Sequence, residues 1–166
     1  ILRDMRARRL EPDRIAYNAA ISACEKSSEW HEAMGVFSQM RLCRLECDAI
    51  SYAAAITTCA HVANWLEALG MLSDMWLCHL EPILFAFNGA ITACGKDTQW
   101  LAAMNLFSEM PLRFAEPDVA TYNAAIGACE KGGHTHKTLS MLSAMRSRSS
   151  TPTTSNFKAG ICSCQK

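Results

Sequence analysis

The sequence has no excess charge of either sign, with 16 basic side chains against 16 acidic ones in 166 residues. A neutral total gives no bulk attraction to a polyanion, so any nucleic-acid contact must come from where the cations sit. There is no long apolar run either. Residues 49–66 carry no formal charge, but Ser51, Tyr52, Thr57, Thr58, His61 and Asn64 make them too polar to cross a bilayer. Catalytic patterns are missing as well: no nucleophile with a base and an orienting group, no glycine-rich phosphate loop, no HExxH, no clustered carboxylates. The expectation is a non-enzyme with no cofactor, no metal, no membrane contact and no small-molecule substrate. The chain opens at Ile1 rather than methionine and stops partway through a pattern. A piece of a longer protein is therefore expected, and the lack of a targeting segment says nothing of destination.

What is present is a repeat of 35 residues. Trp30, Trp65 and Trp100 keep that spacing, and so do Ile21, Ile56, Ile91, Ile126 and Ile161. Cys24, Cys59, Cys94, Cys129 and Cys164 run in the same register, as do Met5, Met40, Met75, Met110 and Met145. Tyr17, Tyr52, Phe87, Tyr122 and Phe157 form an aromatic ladder. The full units are 14–48, 49–83, 84–118 and 119–153, with partial units at 1–13 and 154–166.

Each unit reads as two helices. Tyr17, Ala20, Ile21 and Cys24 fall at i, i+3, i+4 and i+7, one face of a first helix. Trp30, Ala33, Phe37 and Met40 give the second. Ser27-Ser28, Asn64, Asp97-Thr98 and Gly132-Gly133 separate them, and Asn64 with Glu67 has capping-box spacing. Pro12, Pro82 and Pro117 close units, and Asp13 and Asp118 stand ready to cap the next helix. No segment has a convincing strand pattern. The fold class expected is all-α, a right-handed α–α superhelix in which hairpins bury apolar faces against their neighbours.

Nine cysteines would allow a disulfide or metal framework, but five are spread one per unit. That spacing suits small buried thiols in a reducing compartment. Cys43 with Cys47 and Cys162 with Cys164 lack a second pair at zinc-like spacing. His134 and His136 have no visible ligand partner. The tryptophan series belongs to the core of the second helix, and the basic run 6–9 suits a helix C-terminus.

A 35-residue hairpin that starts with an aromatic-Asn pair and ends in Pro-Asp resembles the pentatricopeptide repeat family. The pairs are Tyr17-Asn18, Phe87-Asn88 and Tyr122-Asn123; the endings are Pro12-Asp13 and Pro117-Asp118. Ala-Ile-x-Ala-Cys at 20–24, 90–94 and 125–129 also fits, and the period differs from the 34 of tetratricopeptide repeats. The resemblance implies binding of single-stranded RNA along a concave face, one base per unit. It places base selection on the fifth and last residues of a unit: Asn18 with Asp48, Ala53 with Ile83, Asn88 with Asp118, and Asn123 with Thr153. An Asn/Asp pair implies uracil; Ala53 and Ile83 cannot hydrogen-bond and imply no choice; Thr153 fits the rule poorly. Base stacking falls on Ile15, Ile50, Phe85 and Ala120, the last too small to stack well. The resemblance also implies a mitochondrion or chloroplast, a part in RNA processing, stability, editing or translation, and other RNA-processing proteins as partners.

Two residues after the cysteine ladder stand Lys26, His61, Lys96, Lys131 and Lys166. One cation per unit suits a phosphate backbone, the role the resemblance gives to Lys26, His61, Lys96 and Lys131. Plainer readings stay open: lysines are often only solvated, and Asp48 and Asp118 would cap helices in any solenoid. A protein-interaction scaffold is the alternative function, to be told from RNA binding by whether the concave wall is an apolar groove or a polar, asparagine-lined one.

Overall fold

Every unit becomes a hairpin because it carries start signals and stop signals at fixed places. The computed structural model describes residues 12–147, apart from 28 and 44 and from the side chains of Lys26 and Ser27. The described helices are α1 (Arg14–Ser27), α2 (Trp30–Leu42), α3 (Ala49–His61), α4 (Trp65–Leu77), α5 (Leu84–Lys96), α6 (Trp100–Glu109), α7 (Val119–Lys131) and α8 (Thr135–Ser147). Among the described residues there is no strand. The unit at 154–166, residues 1–11 and Thr153 lie outside the described residues.

Aspartates start the first helices. Asp13 Oδ1 accepts from Ala16 N at 2.9 Å, Asp48 Oδ1 from Ser51 N at 2.9 Å, and Asp118 Oδ1 from Thr121 N at 2.8 Å. Each satisfies one of the four orphan amides at a helix N-terminus. Ile83 stands at the same place before α5 and makes no side-chain cap. The helix ends use a left-handed residue and a six-to-one backbone bond. Asn64, Gln99 and His134 donate their N–H to the carbonyls of Cys59, Cys94 and Cys129 at 3.0, 2.9 and 2.9 Å. The left-handed residues just before them are Ala63, Thr98 and Gly133. Leu80 and Ala115 do the same onto Met75 and Met110, after His79 and Phe114. Cys59, Cys94, Cys129 and Met75 thus mark the last turn of their helices, and Met110 follows directly on α6. Their side chains are core, while their carbonyls close the helix.

The third unit departs from the pattern. Pro111 has no N–H to continue the ladder, so α6 ends at Glu109 and a 3₁₀ turn over Pro111–Arg113 follows. Met110 nevertheless stays fully buried, so the core is kept.

The ladders are the core. Tyr17, Tyr52, Phe87 and Tyr122, with Ile21, Ile56, Ile91 and Ile126, are all buried. Phe37 meets Tyr52 edge-on at 5.0 Å, and Phe107 meets Tyr122 at 5.1 Å, so a second helix locks onto the next unit's first helix. First helices pack on one another in a row (α1 on α3, α3 on α5, α5 on α7), while among the described helices no two second helices come near enough to pack backbones. Second helices meet through side chains such as Arg41 and Asp74, 3.1 Å apart. The row of first helices is therefore the shorter, inner arc. Small residues allow it: a Cβ on Gly95 would stand 3.0 Å from the Ala128 Cβ.

Two expectations need correction. Of the cysteine ladder, Cys59, Cys94 and Cys129 are buried as expected but Cys24 only partly, while Cys43 and Cys78, outside the ladder, are exposed because they sit past the ends of α2 and α4. Their sulfurs lie 3.6 Å from the Tyr17 hydroxyl and 3.8 Å from the Tyr52 hydroxyl. Trp30, Trp65 and Trp100 are only half-buried, since they are the first residues of their helices. Trp100 packs against His134 of the next unit with its ring tilted by 43° and 3.7 Å between ring centres.

Candidate functional site

Stacking brings the last residue of one unit onto the fifth residue of that same unit, across a helical hairpin. Asn88 Nδ2 donates to Asp118 Oδ1 at 3.3 Å although 30 residues separate them. Asn18 stands beside Asp48 in the unit 14–48, and its side chain helps to lower the pKa of that carboxyl. Both aspartates also cap the next first helix, so the plain reading and the functional one describe the same atoms. Burial raises the pKa of each carboxyl. Hydrogen bonds from Ser51 or Thr121, with Arg14 and Asn18 beside Asp48 and Asn88 beside Asp118, outweigh it and hold both below the usual carboxylate value. At neutral pH each is a charged acceptor.

The amides differ from unit to unit. The Oδ1 atoms of Asn18 and Asn123 are covered and have no hydrogen-bond partner, whereas Asn88 Oδ1 accepts from the Thr121 hydroxyl at 2.6 Å. In the unit 49–83 the polar pair is absent: Ala53 is 2% exposed and Ile83 is 39% exposed. The partner of Asn123 would be Thr153, outside the described residues.

Beside each pair stands one apolar side chain in the open. Ile15, Ile50 and Phe85 are 74%, 62% and 55% exposed, and Ala120 is exposed too. They occupy the first turn of each first helix. Water-facing apolar groups recurring once per unit offer flat or branched surfaces for a base plane.

The cations lie at the other end of the same helices. His61, Lys96 and Lys131 are the last residues of α3, α5 and α7, and all are exposed. The side chain of Lys26 is outside the described residues. Lys96 Nζ donates to the His61 carbonyl at 3.4 Å, so the cation of one unit reaches the helix end of the previous one. His61 Nε2 stands 3.8 Å from Glu25 Oε1. Asn88 and Lys96 are eight residues apart, roughly 12 Å along the helix.

Among the described residues no group of three metal-ligating side chains exists, and no helix is long and apolar enough to cross a membrane.

The sequence matches the family profile "Pentatricopeptide repeat domain" over residues 1–61 and the profile "PPR repeat" over residues 85–113 and 120–150. The chain belongs to the pentatricopeptide repeat family. No curated protein sequence matches it. Solved structures share the pentatricopeptide repeat fold. The crystal structure of the pentatricopeptide repeat protein PPR10 from maize has a TM-score of 0.82 at 20% identity, over 98% of this chain and 23% of that one. The same maize protein in complex with an 18-nt psaJ RNA element gives 0.83 at 21% identity, over 94% and 23%. The PPR domain of Arabidopsis thaliana protein-only RNase P 1, in complex with tRNA, gives 0.83 at 13% identity, over 98% and 86%. The chain spans about a quarter of the maize protein's length.

Within this pentatricopeptide repeat array the sequence reading passed over three residues that touch the pairs. Arg14 Nε lies 3.4 Å from Asp48 Oδ2. Ser51 and Thr121 place their hydroxyls 2.8 Å from Asp48 and Asp118. Asp-x-x-Ser and Asp-x-x-Thr are visible as a capping pattern, which is the signal that could have found them.

Proposed function

We propose that the chain is a single-stranded RNA-binding module that reads one base per unit along the row of first helices. The observation that carries this is the asparagine–aspartate pair, formed by residues 30 apart and repeated at the same place in two units beside an exposed apolar residue. Short amide and carboxylate groups suit the Watson–Crick edge of an unpaired base. By the family's rule the pairs Asn18/Asp48 and Asn88/Asp118 choose uracil, and Ala53/Ile83 chooses nothing. The reading gives Lys26, His61, Lys96 and Lys131 the phosphate backbone. It extends to organellar transcripts in a mitochondrion or chloroplast, where such a module would occupy, expose or deliver a stretch of RNA for processing, stability, editing or translation. RNA complexes of two structural neighbours support the choice of ligand.

The test is an RNA selection on the parent chain and on Asn88→Thr. The family rule expects one position of the enriched sequence to move from U toward G. An identical profile in both proteins would remove the base assignment.

One observation favours the alternative scaffold reading. Leu42, Leu77 and Leu112 are 81%, 78% and 78% exposed at equivalent places beyond the inner wall. RNA binding that survives Leu77→Ser and Leu112→Ser unchanged would place that surface outside the RNA site.

A further inference from the structure

Three positions, not two, change together at the junctions 48/49, 83/84 and 118/119. Where the unit carries Asn18 and Asp48, the third residue of the next unit is Ser51; where it carries Asn88 and Asp118, that residue is Thr121. Where the pair is Ala53 and Ile83, the third residue is Ala86. The hydroxyl completes a capping box by accepting from the backbone N–H of Asp48 or Asp118, but an aspartate cap does not require it. Asp13 caps α1 through Ala16 N at 2.9 Å with no hydroxyl at that place.

Thr121 shows what the hydroxyl adds. Its Oγ1 lies 2.6 Å from Asn88 Oδ1 and 2.8 Å from Asp118 Oδ1, and it accepts from Asp118 N at 3.2 Å. A hydroxyl has one proton, and the shorter contact is to the amide. Asp118 is an acceptor alone, so it must face the Asn88 NH₂, which it does at 3.3 Å. The amide is thereby held at both ends: NH₂ to the carboxylate, C=O to the hydroxyl. A turn of the amide by 180° would set its oxygen against the carboxylate.

We infer that Thr121 is a positioning residue for base choice by Asn88, fixing which end of the amide a base meets. This rests on the RNA reading above and deepens it. Uracil offers an N3–H donor beside an O4 acceptor, and cytosine offers N3 as acceptor beside an N4–H donor. An asparagine free to turn over pairs with either. The carboxylate and the hydroxyl together hold it to one of them, so the hydroxyl sharpens the choice between uracil and cytosine rather than that between pyrimidine and purine. Asn18 is held less firmly. The Ser51 hydroxyl goes to Asp48 at 2.8 Å, and Asn18 Oδ1 has no partner. The unit 14–48 therefore separates uracil from cytosine less sharply than the unit 84–118.

The test uses the whole chain and short single-stranded RNAs. Asn88→Thr first locates the nucleotide read by that unit. Oligonucleotides carrying U or C there are then bound by the parent, Thr121→Val and Thr121→Ser. Valine keeps the shape and the backbone cap to Asp118 and removes only the hydroxyl. The expected result is a U-to-C affinity ratio that falls by about two- to tenfold in Thr121→Val, the range of one hydrogen bond, and returns in Thr121→Ser. A merely structural role would weaken both RNAs alike and leave the ratio. That outcome, with the parent still preferring uracil, overturns the inference and spares the RNA reading. A parent that binds none of the RNAs overturns both.

Discussion

Single side chains in this array often serve two masters, and the cysteines show how position separates them. Burial pushes the Cys59 thiol to about 12 and the Cys94 thiol to about 11, so neither forms thiolate at neutral pH. Cys43 and Cys78 are exposed at the hairpin ends instead. Alkylation of the folded protein, mapped by mass spectrometry, is expected to mark Cys43 and Cys78 first and Cys59 and Cys94 only on unfolding. Equal labelling of all four would mean that the ladder is not core. The aspartates are dual in another sense. Asp48 and Asp118 have folded pKa values below their unfolded ones, so the stability they confer is present above about pH 4 and is lost as pH falls through the folded values. Helix content followed by circular dichroism should hold down to about pH 4 and decline below it. In Asp118→Asn the decline should be shallower.

At the scale of the helix, the hairpin ends carry strain that the core offsets. Ala63 and Thr98 adopt φ of 59°, a left-handed conformation, where the fourth unit has Gly133 at 75°. For a β-branched residue this region costs on the order of 1–2 kcal/mol. The N–H of Gln99 still reaches the Cys94 carbonyl at 2.9 Å, because the six-to-one bond requires that turn. Thr98→Gly is therefore expected to stabilise the protein by about 1 kcal/mol in a denaturant titration, and Gly133→Ala to destabilise it by a similar amount. The same signs for both substitutions would contradict the turn geometry.

The whole molecule is a sum of nearest-neighbour contacts, with first helices on the inner arc and second helices outside. This arrangement turns a local period into a line of equivalent groups. Lys96 and Lys131 lie along one edge, and the proposed phosphate contacts belong to this scale because a backbone samples several units at once. Changing Lys26, Lys96 and Lys131 to alanine should flatten the salt dependence of RNA affinity by about 0.7 log unit for each lost contact. A slope unchanged within error would mark these lysines as solvent-facing only, Lys96 keeping its bond to the His61 carbonyl.

The sequence by itself determined the period, the helix pairs and the apolar ladders, because each unit's packing partners recur at a constant spacing. Tyr17, Ile21 and Met40 are buried where the 3.6-residue periodicity put them. It also placed Asp48 and Asp118 at helix starts, since a cap is a local bond between residues three apart. The tertiary structure decided what local spacing could not. Asn88 meets Asp118 and Thr121 only because a hairpin folds back and its successor stacks on it. The covered oxygen of Asn18 follows from the same cause, whereas the early stop of α6 is a local effect of Pro111. Periodicity tells which residues share a face of one helix, but which atoms touch across units is fixed by the distance and tilt between neighbouring hairpins.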